Sequence, residues 1–175
     1  MSASFRLSDG HVVDLIAPLP SDFDHLPAFA YHLSNVHRWG GATEFTVAQH
    51  CVIVSHLCPP EYAAWGLLHD LPEAVLGDVV HHLKALLGEA YRSIERLWQA
   101  ATCEYFGVEP VDIKLWDDEA ARLEAEYIWP SADPCSIVPG RRAKVFAAYR
   151  VQHLWTPNYA RCAFMRRAKQ LLLWI

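Results

Sequence analysis

The sequence predicts an all-α protein, a single domain over residues 1–175 with about six or seven helices around one core. Three observations carry this. Apolar residues recur at three-to-four spacing in several separate stretches, the period of a helix with one buried face. Residues that start or stop helices stand between those stretches: Thr46, Pro59-Pro60, Pro72, Gly107 and Pro110. The composition, 53% apolar and 20% charged, suits a globular chain long enough to form a full core without disulfides or structural metals.

In chain order, residues 5–16 read as two short extended pieces around the turn Ser8-Asp9-Gly10. Pro18 and Pro20 break the chain, and Asp22 or Asp24 is the expected cap of a short helix through Ala28 to Leu33. The loop Arg38-Trp39-Gly40-Gly41-Ala42-Thr43 follows. Thr46 is the expected N-cap of a helix over 47–58, whose Val47, Cys51, Val54 and Cys58 form one apolar stripe. A second helix starts near Glu61 and runs to His69-Asp70, with Gly77 marking a turn beyond it. Leu83, Leu86, Leu87, Tyr91, Ile94, Leu97, Trp98 and Ala101 predict one long helix over about 83–105. A helix over 111–127 carries Asp117. Pro130, Pro134 and Pro139 punctuate a loop, and two helices around 141–154 and 158–173 close the chain.

Several function classes are disfavoured. A net charge of −5 argues against binding a long nucleic acid over a broad basic surface. Arg161, Arg166, Arg167 and Lys169 read instead as the polar face of a helix whose other face is Phe164, Ala168, Leu171 and Leu172. No apolar run reaches the roughly 18–20 residues that span a bilayer, so no membrane partner is expected. Residues 1–6 lack the layout of a signal peptide, and the five cysteines contain no Cys-x-x-Cys pair. Both point to free thiols and a cytoplasmic location. The apolar end Leu171 to Ile175 is expected to be buried against the domain or a second subunit, which leaves room for a homo-oligomer.

The chemistry gathers at His69-Asp70. There an apolar helix ends in an imidazole and a carboxylate, followed by Glu73 and Asp78. Such groups are costly to bury without partners, and a divalent cation is an effective one. His50 upstream and Asp117 downstream complete a candidate ligand set: His50, His69, Asp70 and Asp117. Two imidazoles with two carboxylates suit Mn²⁺, Co²⁺, Fe²⁺ or Zn²⁺. Neighbouring residues of a regular helix point about 100° apart, so His69 and Asp70 converge only if the helix ends or distorts there. Pro72 supplies the reason, because it pushes position 71 out of the helical region.

The ordered set His50, His69-Asp70, Asp117 resembles the ligand pattern of the HD-domain phosphohydrolase superfamily. Leu67-Leu68-His69-Asp70, Glu73-Ala74, Gly77-Asp78 and Leu83-Lys84 resemble the bacterial 5′-deoxynucleotidase subgroup and small phage enzymes related to it. Arg38-Trp39 and the segment Ile113-Lys114 to Asp117, with Glu124 beyond, are also similar. The resemblance spans roughly residues 36–126. It implies a compact HD-type helical bundle and a metal-dependent phosphohydrolase of small deoxynucleotides, with Mg²⁺ as an option for a second ion.

Within that resemblance Glu73 and Asp78 are the catalytic candidates. Glu73 would orient or deprotonate the attacking water, and Asp78 would position the substrate or handle a proton. Capping of the next helix is an equal reading of Asp78, and Asp118 is the rival of Asp117. Arg38, Lys84 and His81 would face the phosphate and Trp39 the base or sugar. His81-His82 stands where relatives often carry Arg-Pro, so a cation at 81 would titrate near neutral pH. The favoured activity is 5′-deoxynucleotidase action on deoxynucleoside monophosphates. A triphosphohydrolase acting on a substrate such as dATP and a catalytically silent nucleotide-binding module are the alternatives.

Overall fold

The computed structural model describes residues 3–129 and 154–172 of the chain. The expected helix around 141–154, the loop prolines 130, 134 and 139, and the terminal Leu173-Trp174-Ile175 lie outside the described residues.

Ser8-Asp9-Gly10 does turn the chain. Strands β1 (Ser4–Arg6) and β2 (Val12–Asp14) pair antiparallel around it, Phe5 opposite Val13. Among the described residues, the longer elements that follow are helices, with an isolated bridge between His37 and Thr46. A 3₁₀ segment over Pro20–His25 leads into α1 (Leu26–Leu33). Here the expected cap is corrected: α1 begins at His25, and neither Asp22 nor Asp24 caps it. Asp22 instead takes the Leu19 backbone N–H and faces His11, while Asp24 accepts from the Tyr105 hydroxyl. The proline-rich start favours 3₁₀ turns, which shift the helix beyond reach of both side chains.

Helix α2 (Val47–Leu57) starts where Thr46 predicts, its hydroxyl accepting from Gln49 N. A cap of this kind contributes about 1 kcal/mol. The expected single apolar stripe is too narrow a description, since every residue from Val47 to Ser55 is buried. Helices α1, α3 (Ala63–Leu68), α7 (Lys114–Ile128) and α8 (Pro157–Leu171) surround it. Its polar side chains are therefore engaged by neighbours: Gln49 accepts from Trp155 N, and Arg167 of α8 bonds Ser55 Oγ and its carbonyl. Gly66 lets α3 press onto α2. A Cβ there would lie 2.9 Å from Cys58 Sγ and 3.2 Å from the Ser55 backbone.

The predicted long helix over 83–105 is two helices. Helix α5 (His81–Leu87) and α6 (Glu89–Phe106) meet at Gly88, whose φ of 63° and ψ of −140° lie outside helical space. Only glycine takes this conformation readily. The three-to-four spacing carried across the break and concealed it. Helix α6 then ends at Gly107 in the left-handed region, a common helix stop. Helix α7 starts at Lys114, three residues later than 111, because Asp112 turns the chain by accepting the Lys114 N–H. Phe164, Ala168 and Leu172 of the last segment are buried, as its apolar face predicts. Among the described residues, no helix is long and apolar enough to cross a membrane.

Candidate metal centre

The helix carrying His69 ends at the His-Asp pair. Regular α3 stops at Leu68, and α4 (Glu73–Leu76) begins four residues after His69. Between them the backbone closes three-residue turns, Leu71 N to Leu68 O and Glu73 N to Asp70 O. This tighter winding is the distortion that lets neighbouring side chains share a direction.

Donor atoms of His50, His69 and Asp117 lie within 4.8 Å of one another, and Asp70 adjoins both imidazoles. His50 Nε2 lies 3.0 Å from Asp117 Oδ1 and 3.5 Å from Asp70 Oδ2. His69 Nε2 lies 3.2 Å from Asp70 Oδ2 and 3.9 Å from Asp117 Oδ1. A cation bonded at about 2.1 Å to each donor would space tetrahedral ligands roughly 3.4 Å apart, which matches this range. Both Nε2 atoms are buried and lack a hydrogen-bond partner. Their rings are held from the other side. His50 Nδ1 donates to Glu124 Oε1 at 2.6 Å, and His69 Nδ1 donates to the Gly66 carbonyl at 3.0 Å. Each acceptor fixes the tautomer that turns the Nε2 lone pair toward the cluster, the usual support of a metal-bound histidine. The residues present fit a divalent cation.

Glu124 organises this support. It is fully buried, and besides His50 it accepts from Arg38 Nε at 2.9 Å and Trp39 Nε1 at 3.2 Å. It stands two turns beyond Asp117 on α7, hence on the same face. That interval, with the resemblance of the segment Ile113-Lys114 to Asp117 and Glu124 beyond, is the signal the sequence carries for it. Arg38 also approaches Asp70 Oδ2 at 3.7 Å. Trp39 has a φ of 61°, rare for a side chain of its size, and meets Trp129 edge-on with centroids 5.4 Å apart.

The electrostatics follow from crowding. Five carboxyl groups (Asp70, Glu73, Asp78, Asp117, Glu124) crowd around Arg38, Lys84 and two imidazoles, so the charge of each is set by its neighbours. Burial and Arg38 favour a neutral His50, but Glu124 and Asp117 outweigh them and raise it to about 9. Burial opposes ionisation of Asp70, yet His69, His50 and Arg38 hold it far below the ordinary carboxylate range. Asp117 is also lowered, against its burial, by His50 and His69. Glu73 goes the other way, raised well above its ordinary value by burial and by Asp70. Burial likewise raises Asp78. Cys51 Sγ forms a second close group of possible donors with His69 and Asp70, but burial keeps its thiol neutral in the absence of a cation.

Of the remaining expected site residues, Glu73 and Lys84 lie together, Lys84 Nζ 3.4 Å from Glu73 Oε1. Lys84 is bonded more closely to Glu95 Oε1, at 2.7 Å. Asp78 is half-buried beside these charges and does not cap α5, whose N-cap is Val80. Asp118 pairs with Lys114 at the surface, leaving Asp117 as the member of the cluster. His81 is exposed on the first turn of α5, edge-on to His82, and no described contact joins it to the cluster.

No known family model matches this chain. The chain is 39% identical over 84 residues to the uncharacterized protein YfdR of Escherichia coli K12, covering 47% of each. It is 33% identical over 187 residues to the uncharacterized protein RCAP_rcc00048 of Rhodobacter capsulatus, covering 95% of this chain and 94% of that protein. An alignment of that extent makes this chain a member of the same family as the Rhodobacter capsulatus protein.

Proposed function

We propose that this chain is a metal-dependent phosphohydrolase of small nucleotides, acting as a 5′-deoxynucleotidase on deoxynucleoside monophosphates. The observation that carries the reading is the pair of buried imidazoles with Nε2 turned toward Asp70 and Asp117 and no hydrogen bond made. Mn²⁺, Co²⁺, Fe²⁺ or Zn²⁺ suits the donor set, held by His50, His69, Asp70 and Asp117, with Mg²⁺ as an option for a second ion. When bound, such an ion polarises a phosphoryl oxygen and acidifies water.

The protein's own groups supply the rest. Glu73 is buried beside Asp70, with Oε2 unpartnered, and its raised affinity for a proton suits a base that takes one from the attacking water. Lys84 balances charge on the phosphoryl group, and Asp78 stands where it can orient the sugar or the leaving oxygen. Arg38 acts chiefly on Glu124, keeping the His50 support ionised.

The test is phosphate release from ribo and deoxy mono-, di- and triphosphates with Mn²⁺, Co²⁺, Zn²⁺ and Mg²⁺ in turn. Release from deoxynucleoside monophosphates is expected, and Glu73→Gln should retain metal while losing turnover. Release only from triphosphates would select the triphosphohydrolase. No release from any nucleotide, with metal bound, would leave a nucleotide-binding module.

A further inference from the structure

Two buried polar atoms beside Lys84 lack hydrogen bonds among the described residues: Glu73 Oε2 and the Tyr91 hydroxyl. Tyr91 stands on the first turns of α6, and the Lys84 ammonium lies 5.6 Å from its ring centroid. Lys84 is held between Glu73 Oε1 and Glu95 Oε1. Burial, together with Glu95, Glu73 and Asp70, outweighs Lys84 and pushes the phenol up to about 12, so it remains an O–H donor.

The two atoms need different partners. Glu73 Oε2 belongs to the proposed base and is met by the attacking water. The Tyr91 hydroxyl carries a proton that needs an acceptor. Lys84, whose ammonium lies over its ring, has none to offer, because an ammonium only donates. The missing partner is an oxygen that also tolerates a cation alongside, which describes an anionic oxygen.

We propose that Tyr91 is a phosphate-binding residue, its hydroxyl and the Lys84 ammonium together receiving a phosphoryl oxygen of the substrate. Glu95 is a positioning residue that holds Lys84 over the Tyr91 ring. The assignment rests on the phosphohydrolase reading and extends it with two residues of α6. It also gives the break at Gly88 a purpose, since α5 must turn away from α6 for Lys84 to reach back over Tyr91.

Tyr91→Phe tests it, because the substitution removes one oxygen and keeps the ring. With Mn²⁺ loaded, inorganic phosphate binding is measured by calorimetric titration, and thermal melting is recorded on the metal-free protein. A hydrogen bond to a charged acceptor is expected to be lost, weakening phosphate binding roughly ten- to hundredfold. The melting temperature should hold or rise, because a hydroxyl with no partner contributes nothing to the unliganded fold. Lys84→Met should weaken phosphate binding as well, with Mn²⁺ affinity retained. Wild-type phosphate affinity in Tyr91→Phe would overturn the assignment and leave water as the partner of the hydroxyl. A clear fall in melting temperature would overturn it too, by revealing a structural partner. Wild-type protein that takes up Mn²⁺ but no phosphate would instead overturn the phosphohydrolase reading, and this inference with it.

Discussion

His50 stands within an eleven-residue helix buried without interruption from Val47 to Ser55, whereas Lys84 stands on a seven-residue helix that buries nothing. Around His50 each charged neighbour is held by another: Glu124 by Arg38 and Trp39, Asp70 by His69 and Arg38. Around Lys84 the anchoring is local, to Glu73 and Glu95, and α5 leaves Leu83, Leu86 and Leu87 exposed. The proposed metal end is preorganised by long-range contacts. The proposed phosphate end rests on a short segment entered after Gly77 and left through Gly88, both at positive φ. A donor set for a cation must keep its geometry when empty, while a group that receives and releases substrate benefits from weaker anchoring.

This contrast can be broken at four points. The largest effect expected is a pH dependence confined to the metal end. His50 rises from an ordinary 6.5 to about 9 in the folded protein, so its charged form contributes stability fully below pH 6.5, and that contribution is lost as pH rises through about 9. The shift corresponds to roughly 3 kcal/mol. Urea denaturation of metal-free protein should therefore show stability falling between pH 6.5 and 9, and loading with Zn²⁺ should flatten the fall. A metal-free curve that is flat or rising over this range would remove the Glu124–His50 pairing as the organiser.

Next, Glu124→Gln keeps the shape but loses the charge that orients His50 and holds Arg38. Competition with a chelator should show metal affinity reduced about 10- to 100-fold. Unchanged affinity would mean that His50 is positioned by packing alone. Third, Gly88→Ala meets no neighbouring atom, so its cost is purely that of the backbone, about 1–3 kcal/mol. Melting should shift downward, with metal affinity unaffected if the two ends are independent. A parallel loss of metal would couple them. Smallest is His81→Ala: exposed and apart from the cluster, it should change phosphate affinity less than about twofold. A larger effect would return His81 to the proposed phosphate end.

Much of this site could be read one residue at a time. Thr46 announced α2, and the expected end of the apolar helix at His69-Asp70 is where regular α3 gives way to tighter turns. The order His50, His69-Asp70, Asp117 selected four donors from ten histidines and twenty acidic residues. Other parts were hidden for physical reasons. Three-to-four spacing persists on both sides of Gly88, so periodicity alone joined α5 to α6. Glu124 is singled out by resemblance, but its part in holding His50 emerges only when Arg38, 86 residues away, and His50, 74 residues away, are folded against it. Tyr91 reads as part of an apolar stripe, because spacing cannot reveal a hydroxyl left without a partner.

Local chemistry was enough to establish the helical class and the starts and stops at Thr46 and Gly107, because caps, breakers and apolar period act within a few residues. Which carboxylate would be ionised, which would hold a proton, and which would serve another side chain depended on distances between segments far apart in the chain. Burial penalises each charge and strengthens the interactions between charges where those segments meet, so these protonation preferences arise only when α2, α3 and α7 close around His50.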